Sequence, residues 1–329
     1  MSTKLSLKDS ATAQASPNIA LIKYWGNRDR LLRIPANGSI SITLGELVTT
    51  THVTLDPALD QDQLTINAAP AEHSARERSS QLLNVIRSQS DDDRFARIES
   101  ENNFPMGAGI ASSASAFAAL AAAACEAYQL RQDSASLSRL ARRASGSAAR
   151  SVCPGFVELH AAVDDHGAYA ESLHPPDHWD LVDLIVVVDT SHKSVSFSDG
   201  HNLADTSPIQ KVRVADAPRR LDLCRQALAG RDFALLAAIT ELDSNLMHAV
   251  MMTSTPPLHY WQPATLTIML AIERWRQNGL EVCYTIDAGP NVHCICSESS
   301  KDAVLQQLTA LDGILEIYAC KPGPGVVIT

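Results

Sequence analysis

The sequence predicts a protein of mixed α and β structure in two parts, sheet and helix segregated in the first half and strand and helix alternating in the second. Three observations predict it. At 329 residues the chain is longer than a single core usually organises. Alternating, β-branched runs are concentrated before residue 103, ahead of a long alanine-rich helical stretch. Beyond residue 206, helical and strand periods take turns. A break near 175–190 separates the halves, and the expected parts are 1–185 and 186–329.

Taken in order, the first dozen residues have the composition of a disordered lead-in, and "ALIKYWGNRD" (20–29) is an apolar strand running into a cluster of polar groups and large rings. "ISITLGELVTTTHVTLD" (40–56) and "DQLTINA" (62–68) read as strands following the "IPANGS" turn. Residues 72–88 have helical spacing through Leu82, Leu83 and Ile86, and "FARIESEN" (95–102) returns to strand. A glycine-containing loop then leads into the alanine helix, and 134–144 is helical. "RASGSAARSVCPG" (143–155) reads as small and flexible, 155–163 as strand, and the continuous apolar run over 180–190 as a buried strand. Helices follow near 206–230, 231–251, 264–278 and 300–311, with strands at 281–286, 292–297 and 314–320.

Composition narrows the function classes. A net charge of -10 gives no basic footprint for a nucleic-acid backbone, so nucleic acid is not an expected partner. The N-terminal residues lack an apolar signal core and the run from Ala116 is too short to span a bilayer, which predicts a cytoplasmic protein without a membrane partner. Seven scattered cysteines in apolar company read as reduced core thiols. Cys294-x-Cys296 beside His293 has no second ligand pair at zinc spacing, so no structural metal is expected there.

"PMGAGIASSASAFAAL" (105–120) combines Gly107 and Gly109 with hydroxyls at Ser112, Ser113 and Ser115, immediately before a helix. Free N–H groups and the dipole at such a helix start favour an anion, and a triphosphate fits that chemistry. By residue type alone the same string is also an ordinary turn with a serine cap. Asp287, before Ala-Gly-Pro-Asn, is either a turn former or a carboxylate pointing into a cleft. Arg150 sits among small residues, and is either a surface arginine or a bidentate partner for a carboxylate or phosphate.

The string Pro105-x-Gly-x-Gly-Ile-x-Ser-Ser-Ala-Ser115 resembles the second motif of the small-molecule kinases of the galactokinase, homoserine kinase, mevalonate kinase and phosphomevalonate kinase superfamily. "SPNIALIKYWGNRDRLLRIPANGSISITL" (16–44), "ASGSAARS" (144–151) and "YTIDAGPNVHCI" (284–295) resemble three segments of the mevalonate diphosphate decarboxylases within it. The resemblance implies a fold of two domains: an N-terminal ATP-phosphate-loop domain like domain 2 of ribosomal protein S5, and a ferredoxin-like C-terminal domain. It implies ATP and Mg2+ as cofactors, a small-molecule acid as substrate, and a homodimer. The implied reaction phosphorylates the tertiary 3-hydroxyl of a 5-phosphorylated mevalonate and then expels phosphate and CO2.

The roles implied are as follows. Asp287 faces the 3-hydroxyl, Arg150 pairs with the substrate carboxylate, and Lys23 binds phosphate near the reacting centre. Tyr24, Asn27, Ser145 and Ser147 line the substrate pocket, with Lys193 and Ser196 near its 5-phosphate, and Arg78 is a further cation of the substrate site that makes up for Asn27. Gly107, Ala108, Gly109, Ser112, Ser113 and Ser115 cradle the ATP phosphates, and Ser112 reaches the magnesium. Relatives that use the 5-diphosphate usually read Lys-Tyr-Trp-Gly-Lys, whereas this chain has Asn27 in the second lysine's place, and "VSFSDGH" departs from their Val-Ser-Ser segment by Phe197, Asp199 and His201. Losing a cation at a desolvated site costs roughly 1.5–3 kcal/mol. The expectation is therefore mevalonate 5-phosphate as substrate, giving isopentenyl phosphate. The alternative is the 5-diphosphate, and behind these stand a 3-kinase without decarboxylation and a non-catalytic ligand sensor.

Overall fold

In the computed structural model the described residues are 9–105, 112–190 and 197–329, and their strands form three sheets and a short hairpin. The first sheet has the spatial order Val327–Ile328, Ser10–Ala15, Thr49–Asp56, Phe95–Asn102, Gln63–Ile66, Ala69–Pro70. Ser10–Ala15 is thus an ordered strand reaching into the expected lead-in, held by Thr49–Asp56 on one side and the chain's last strand on the other.

The run over 40–56, expected as one strand, is two strands in different sheets. Ser39–Thr43 belongs to the second sheet, ordered Ala170–His174, Phe156–Leu159, Ser39–Thr43, Asn18–Ile22. Thr49–Asp56 belongs to the first. The turn between them contains Gly45, where a Cβ would stand 3.0 Å from the Gly323 Cα, so the chain bends against a close backbone neighbour. Alternation has the same period in both strands, so the change of sheet leaves no mark on the pattern.

The alanine helix, Ser112–Ala127, is buried on nearly every side. Its side chains are small because it runs between the first sheet and the helices His73–Arg87 and Ser134–Ala144, sharing one core with all of them. The segment 143–155, expected to be flexible, holds a short helix, Ala148–Ser151, that is wholly buried. Its residues are small because it is crowded: any Cβ at Gly146 would overlap the Tyr24 ring.

The third sheet is antiparallel throughout, ordered Val282–Thr285, Val292–Ser297, Leu181–Val187, Glu316–Cys320. One face shares a core with the second sheet and the helices Gln210–Gly230 and Phe233–Thr253. The other packs on Pro263–Gln277 and Lys301–Thr309. Leu181–Val187 is buried along its whole length for this reason, although a continuous apolar run is the signature of a parallel strand. All seven cysteines are free and buried, and burial pushes every thiol above its ordinary range. Among the described residues no helix is long and apolar enough to cross a membrane.

Candidate active site

The strand Asn18–Ile22 ends where its backbone leaves the ladder, and Lys23 is the first residue beyond it. Side chains from elsewhere take over both backbone groups. The Lys23 N–H donates to Asp243 Oδ2 at 2.6 Å, and its carbonyl accepts from Asn37 Nδ2 at 3.0 Å and Arg213 Nη2 at 2.9 Å. Asp243 is in turn held by Arg220, whose Nε donates to Oδ1 at 2.7 Å. With its backbone fixed from both sides, Lys23 extends Nζ to 2.6 Å from Asp287 Oδ1.

Asp287 follows the strand Val282–Thr285 in the turn that its Ala-Gly-Pro sequence predicts, with the Gly289 N–H closing on the Asp287 carbonyl at 2.7 Å. The residue before it is pinned by the helix Phe233–Thr253: the Ile286 N–H donates to Ser244 Oγ at 3.0 Å, and His248 Nε2 lies 3.3 Å from the Ile286 carbonyl. The side chain of Lys23 is 1% exposed and that of Asp287 23%, so the carboxylate is the member of the pair that meets incoming groups. Burial alone would raise the Asp287 carboxyl, but Lys23, with His293 and Arg150, outweighs it and holds the group below its ordinary value. For Lys23 burial prevails over the attraction of Asp287 and Asp243, and the ammonium is more acidic than an ordinary lysine.

Arg150 is buried and hydrogen-bonded to neutral groups. Its Nε and Nη2 donate to Asn18 Oδ1 at 3.2 and 3.0 Å and its Nη1 to Ser39 Oγ at 2.7 Å. No carboxylate bonds to it among the described residues, and burial pushes the guanidinium down to about 10. A desolvated cation held this way gains from an anionic ligand. Tyr24 stands beside it, its hydroxyl donating to Asn27 Oδ1. Ser147 and Ser145 lie 3.3 Å apart, and Ser145 is 3.5 Å from Ser113 on the first turn of the alanine helix. Asn18, which holds Arg150, also donates to the Ser147 carbonyl at 3.1 Å, so these serines link the arginine to a second region.

That region is a cavity of about 400 Å³ walled by Leu64, Ile66, Ile98, Phe117 and Leu120, with Ser112 and Ser113 at its edge. Arg78, the cation expected to compensate for Asn27, lines this cavity, with its guanidinium 4.8 Å from the centre of the Phe117 ring and its Nε donating to the Ser74 carbonyl at 3.3 Å. The helix His73–Arg87 packs beside the alanine helix and carries it there. Ser115, expected on the ATP phosphates, is fully buried: its hydroxyl meets Thr49 Oγ1 at 2.6 Å and donates to the Ser112 carbonyl at 3.1 Å, three residues back on the face turned to the sheet. It anchors the helix. Gly107, Ala108, Gly109, Lys193 and Ser196 lie outside the described residues.

Sequence reasoning missed Asp243, Arg213, His248 and the cavity, and noted His201 only as a departure from the relatives. A signal existed for two of them: Asp243 and His248 fall at buried positions of an otherwise apolar helix, where an unpaired charge is not tolerated. Among the described residues no group of three or more His, Cys, Asp or Glu side chains converges as a metal site.

Family models match both halves: one described as the diphosphomevalonate decarboxylase-like N-terminal domain over residues 15–170, the other as the mevalonate 5-diphosphate decarboxylase C-terminal domain over 183–316. The chain is 36% identical over 316 residues to the diphosphomevalonate decarboxylase of Candida albicans, covering 91% of this chain and 87% of that one. It is 38% identical over 304 residues to the enzyme of that name from Saccharomyces cerevisiae, covering 86% and 76%. The crystal structure of mevalonate diphosphate decarboxylase from Staphylococcus aureus superposes with a TM-score of 0.91 at 36% identity, over 98% of each chain. A structure described as MDDEF in complex with MVAPP, AMPPCP and magnesium gives a TM-score of 0.91 at 33% identity, over 97% of this chain and 98% of that one. With the paired lysine and aspartate, the buried arginine and the serine-edged cavity in place, these likenesses show that the chain belongs to the diphosphomevalonate decarboxylase family, within the GHMP kinase superfamily.

Proposed function

We propose that the chain catalyses the ATP-dependent decarboxylation of mevalonate 5-diphosphate, giving isopentenyl diphosphate, ADP, phosphate and CO2. The observation that carries this reading is the 2.6 Å contact between Lys23 and Asp287. It supplies an ionised carboxylate facing open space and a cation one bond away. A tertiary alcohol leaves only once phosphorylated, and its departure develops positive charge at the carbon bearing it. Asp287 takes up or orients the 3-hydroxyl proton and later faces that charge. Arg150 holds the substrate carboxylate until it leaves as CO2, with Ser145 and Ser147 bonding nearby. Lys23 offers a point charge to the transferred phosphoryl group.

The adenosine part of ATP fits the apolar cavity, whose volume lies within the range of small-molecule pockets. Ser112 and Ser113 at its edge bond the phosphates, together with the glycine loop before them. Ser112 is the residue that would hold magnesium, most of whose contacts would be water and phosphate oxygens. The ion supplies charge neutralisation on the phosphates.

The diphosphate replaces the monophosphate as the leading substrate because the relatives are named for it. Asn27 still offers a hydrogen-bond donor where a second lysine was missed. The ionised Asp287 speaks against a kinase that stops at phosphorylation and against a sensor. In fold terms we propose that the halves are the domain like ribosomal S5 domain 2 and the ferredoxin-like domain, divided ahead of Leu181 and not at 185, because the strand Leu181–Val187 belongs to the third sheet. The third sheet supports the latter: its strands, numbered along the chain, lie in the order 4-1-3-2 with helices in the crossovers. The family resemblance supports a homodimer and a cytoplasmic location.

The test is steady-state kinetics on both phosphorylated acids with CO2 and ADP measured together. Equal yields of the two products and a higher kcat/KM for the diphosphate are expected. A higher kcat/KM for mevalonate 5-phosphate would return the substrate to one phosphate, and ADP without CO2 would make the chain a kinase.

A further inference from the structure

The sequence places His201 directly after Gly200, in a segment where this chain departs from its relatives, and nothing in the reaction just described uses it. The helix Phe197–Leu203 seats this pair against the Tyr24–Gly26 turn. A Cβ at Gly200 would come within 2.8 Å of the Trp25 ring, so only glycine lets the helix approach this closely. His201 is buried at 4% exposure with its ring 4.4 Å from that of Tyr24 and 4.5 Å from that of Trp25, and its Nδ1 accepts the Gly26 N–H at 3.0 Å. Gly26 has φ +91°, and a Cβ there would stand 2.6 Å from Gln210 Nε2, which itself donates to the Trp25 carbonyl at 2.9 Å. The turn is therefore held on its backbone by His201 and Gln210 and on its rings by His201.

Burial, with Arg33, Arg213 and Arg150 in the surroundings, pushes His201 down to about 3, so it works as a neutral acceptor at any ordinary pH. The Tyr24 ring is thus confined between the imidazole and the bare Cα of Gly146. Its hydroxyl donates to Asn27 Oδ1, which decides which way the amide points. The carbonyl is occupied, and among the described residues Nδ2 has no partner. At Asn27 the two N–H donors of Nδ2 are left for an anion, while Oδ1 is engaged by the Tyr24 hydroxyl.

We propose that His201 is a positioning residue for substrate selection: by holding the Gly26 N–H and the Tyr24 ring, it keeps the Tyr24 hydroxyl on Asn27 Oδ1, so that Asn27 Nδ2 faces the phosphorylated end of the acid. This rests on the proposed substrate class and adds how the wall recognises it. A fixed amide rejects a mispresented anion because its carbonyl cannot swing outward without stranding the tyrosine hydroxyl.

The experiment is a double-mutant cycle on the full chain with His201→Phe, which keeps a ring and loses the acceptor, and Tyr24→Phe, which loses only the hydroxyl. The readouts are KM and calorimetric affinity for mevalonate 5-diphosphate, and KM for ATP. His201→Phe is expected to raise KM for the acid about tenfold, the size of one lost hydrogen bond to a charged group, while kcat and KM for ATP stay within about threefold. In the Tyr24→Phe background its further effect should nearly vanish. His201→Gln, which restores a neutral acceptor, should recover most of the affinity; His201→Leu, which also lacks the acceptor, takes the place of His201→Phe in the cycle if that variant does not fold. Additive effects, or equal losses for acid and ATP, would overturn the proposal. The proposed reaction is judged separately, on the products of the unaltered chain, and calorimetry reads the cycle without turnover.

Discussion

Lys23 and Arg78 are both cations of the N-terminal half, and their surroundings differ in kind. Around Lys23 every backbone group has a named side-chain partner, the ammonium has Asp287, and all of these partners but Asn37 come from the helices and turn of the C-terminal half. Around Arg78 there are aliphatic walls, one aromatic ring and one carbonyl, all from the N-terminal half. The first region is set in advance, as chemistry that must not wait for reorganisation requires. The second fixes a shape and leaves a cation without a carboxylate partner among the described residues, as suits a ligand that brings its own negative charge.

Asp287→Asn strikes the first region hardest. Replacing the carboxylate removes the proton acceptor and the negative charge together, and kcat should fall about 10²–10⁴-fold. ATP affinity, read by calorimetry, should change by less than about threefold; a parallel loss of both would mean that the regions are not separate. Arg78→Met makes the opposite cut. It keeps the apolar length and removes the charge and its stacking, so KM for ATP should rise about three- to thirtyfold with kcat little changed.

The smallest effect is in the pH profile. Asp287 sits below its ordinary 3.8 and Lys23 below its ordinary 10.5. A carboxyl with a lowered value keeps its charge, and what that charge contributes, until the pH falls through that lower value. A lowered ammonium loses its proton sooner as the pH rises. The kcat profile should therefore be flat through the neutral range, with its acid limb beneath the usual carboxylate range and its basic limb beneath the usual lysine range. In Asp287→Asn the residual activity should lose its basic limb at still lower pH, because Lys23 no longer has its counter-ion.

Much of this was legible in the residues, and the limits are physical. The helix over 134–144 was read at its full extent, because periodicity and the Asp133 cap are local signals. The run over 40–56 was not divided, because both strands alternate with the same period. The motif residues were recognisable by resemblance, yet their partners were not: Asp243 and Arg213 act on the backbone of Lys23, which has no side-chain pattern to match. The surroundings of Arg78 were not legible because its neighbours in space belong to the alanine helix, some 40 residues away along the chain.

The clamp on Lys23 also orders events in time. The walls of the cavity lie between Thr51 and Leu120, so a ribosome has delivered all of them while more than half of the chain is still unmade. Lys23 waits for Arg213, Asp243 and finally Asp287, 264 positions downstream. Contacts of such separation form late, since the long loop must be closed before they stabilise anything. The residues that wall the cavity therefore exist well before those that clamp Lys23, and the pairing of Lys23 with Asp287 forms only once both halves have been made.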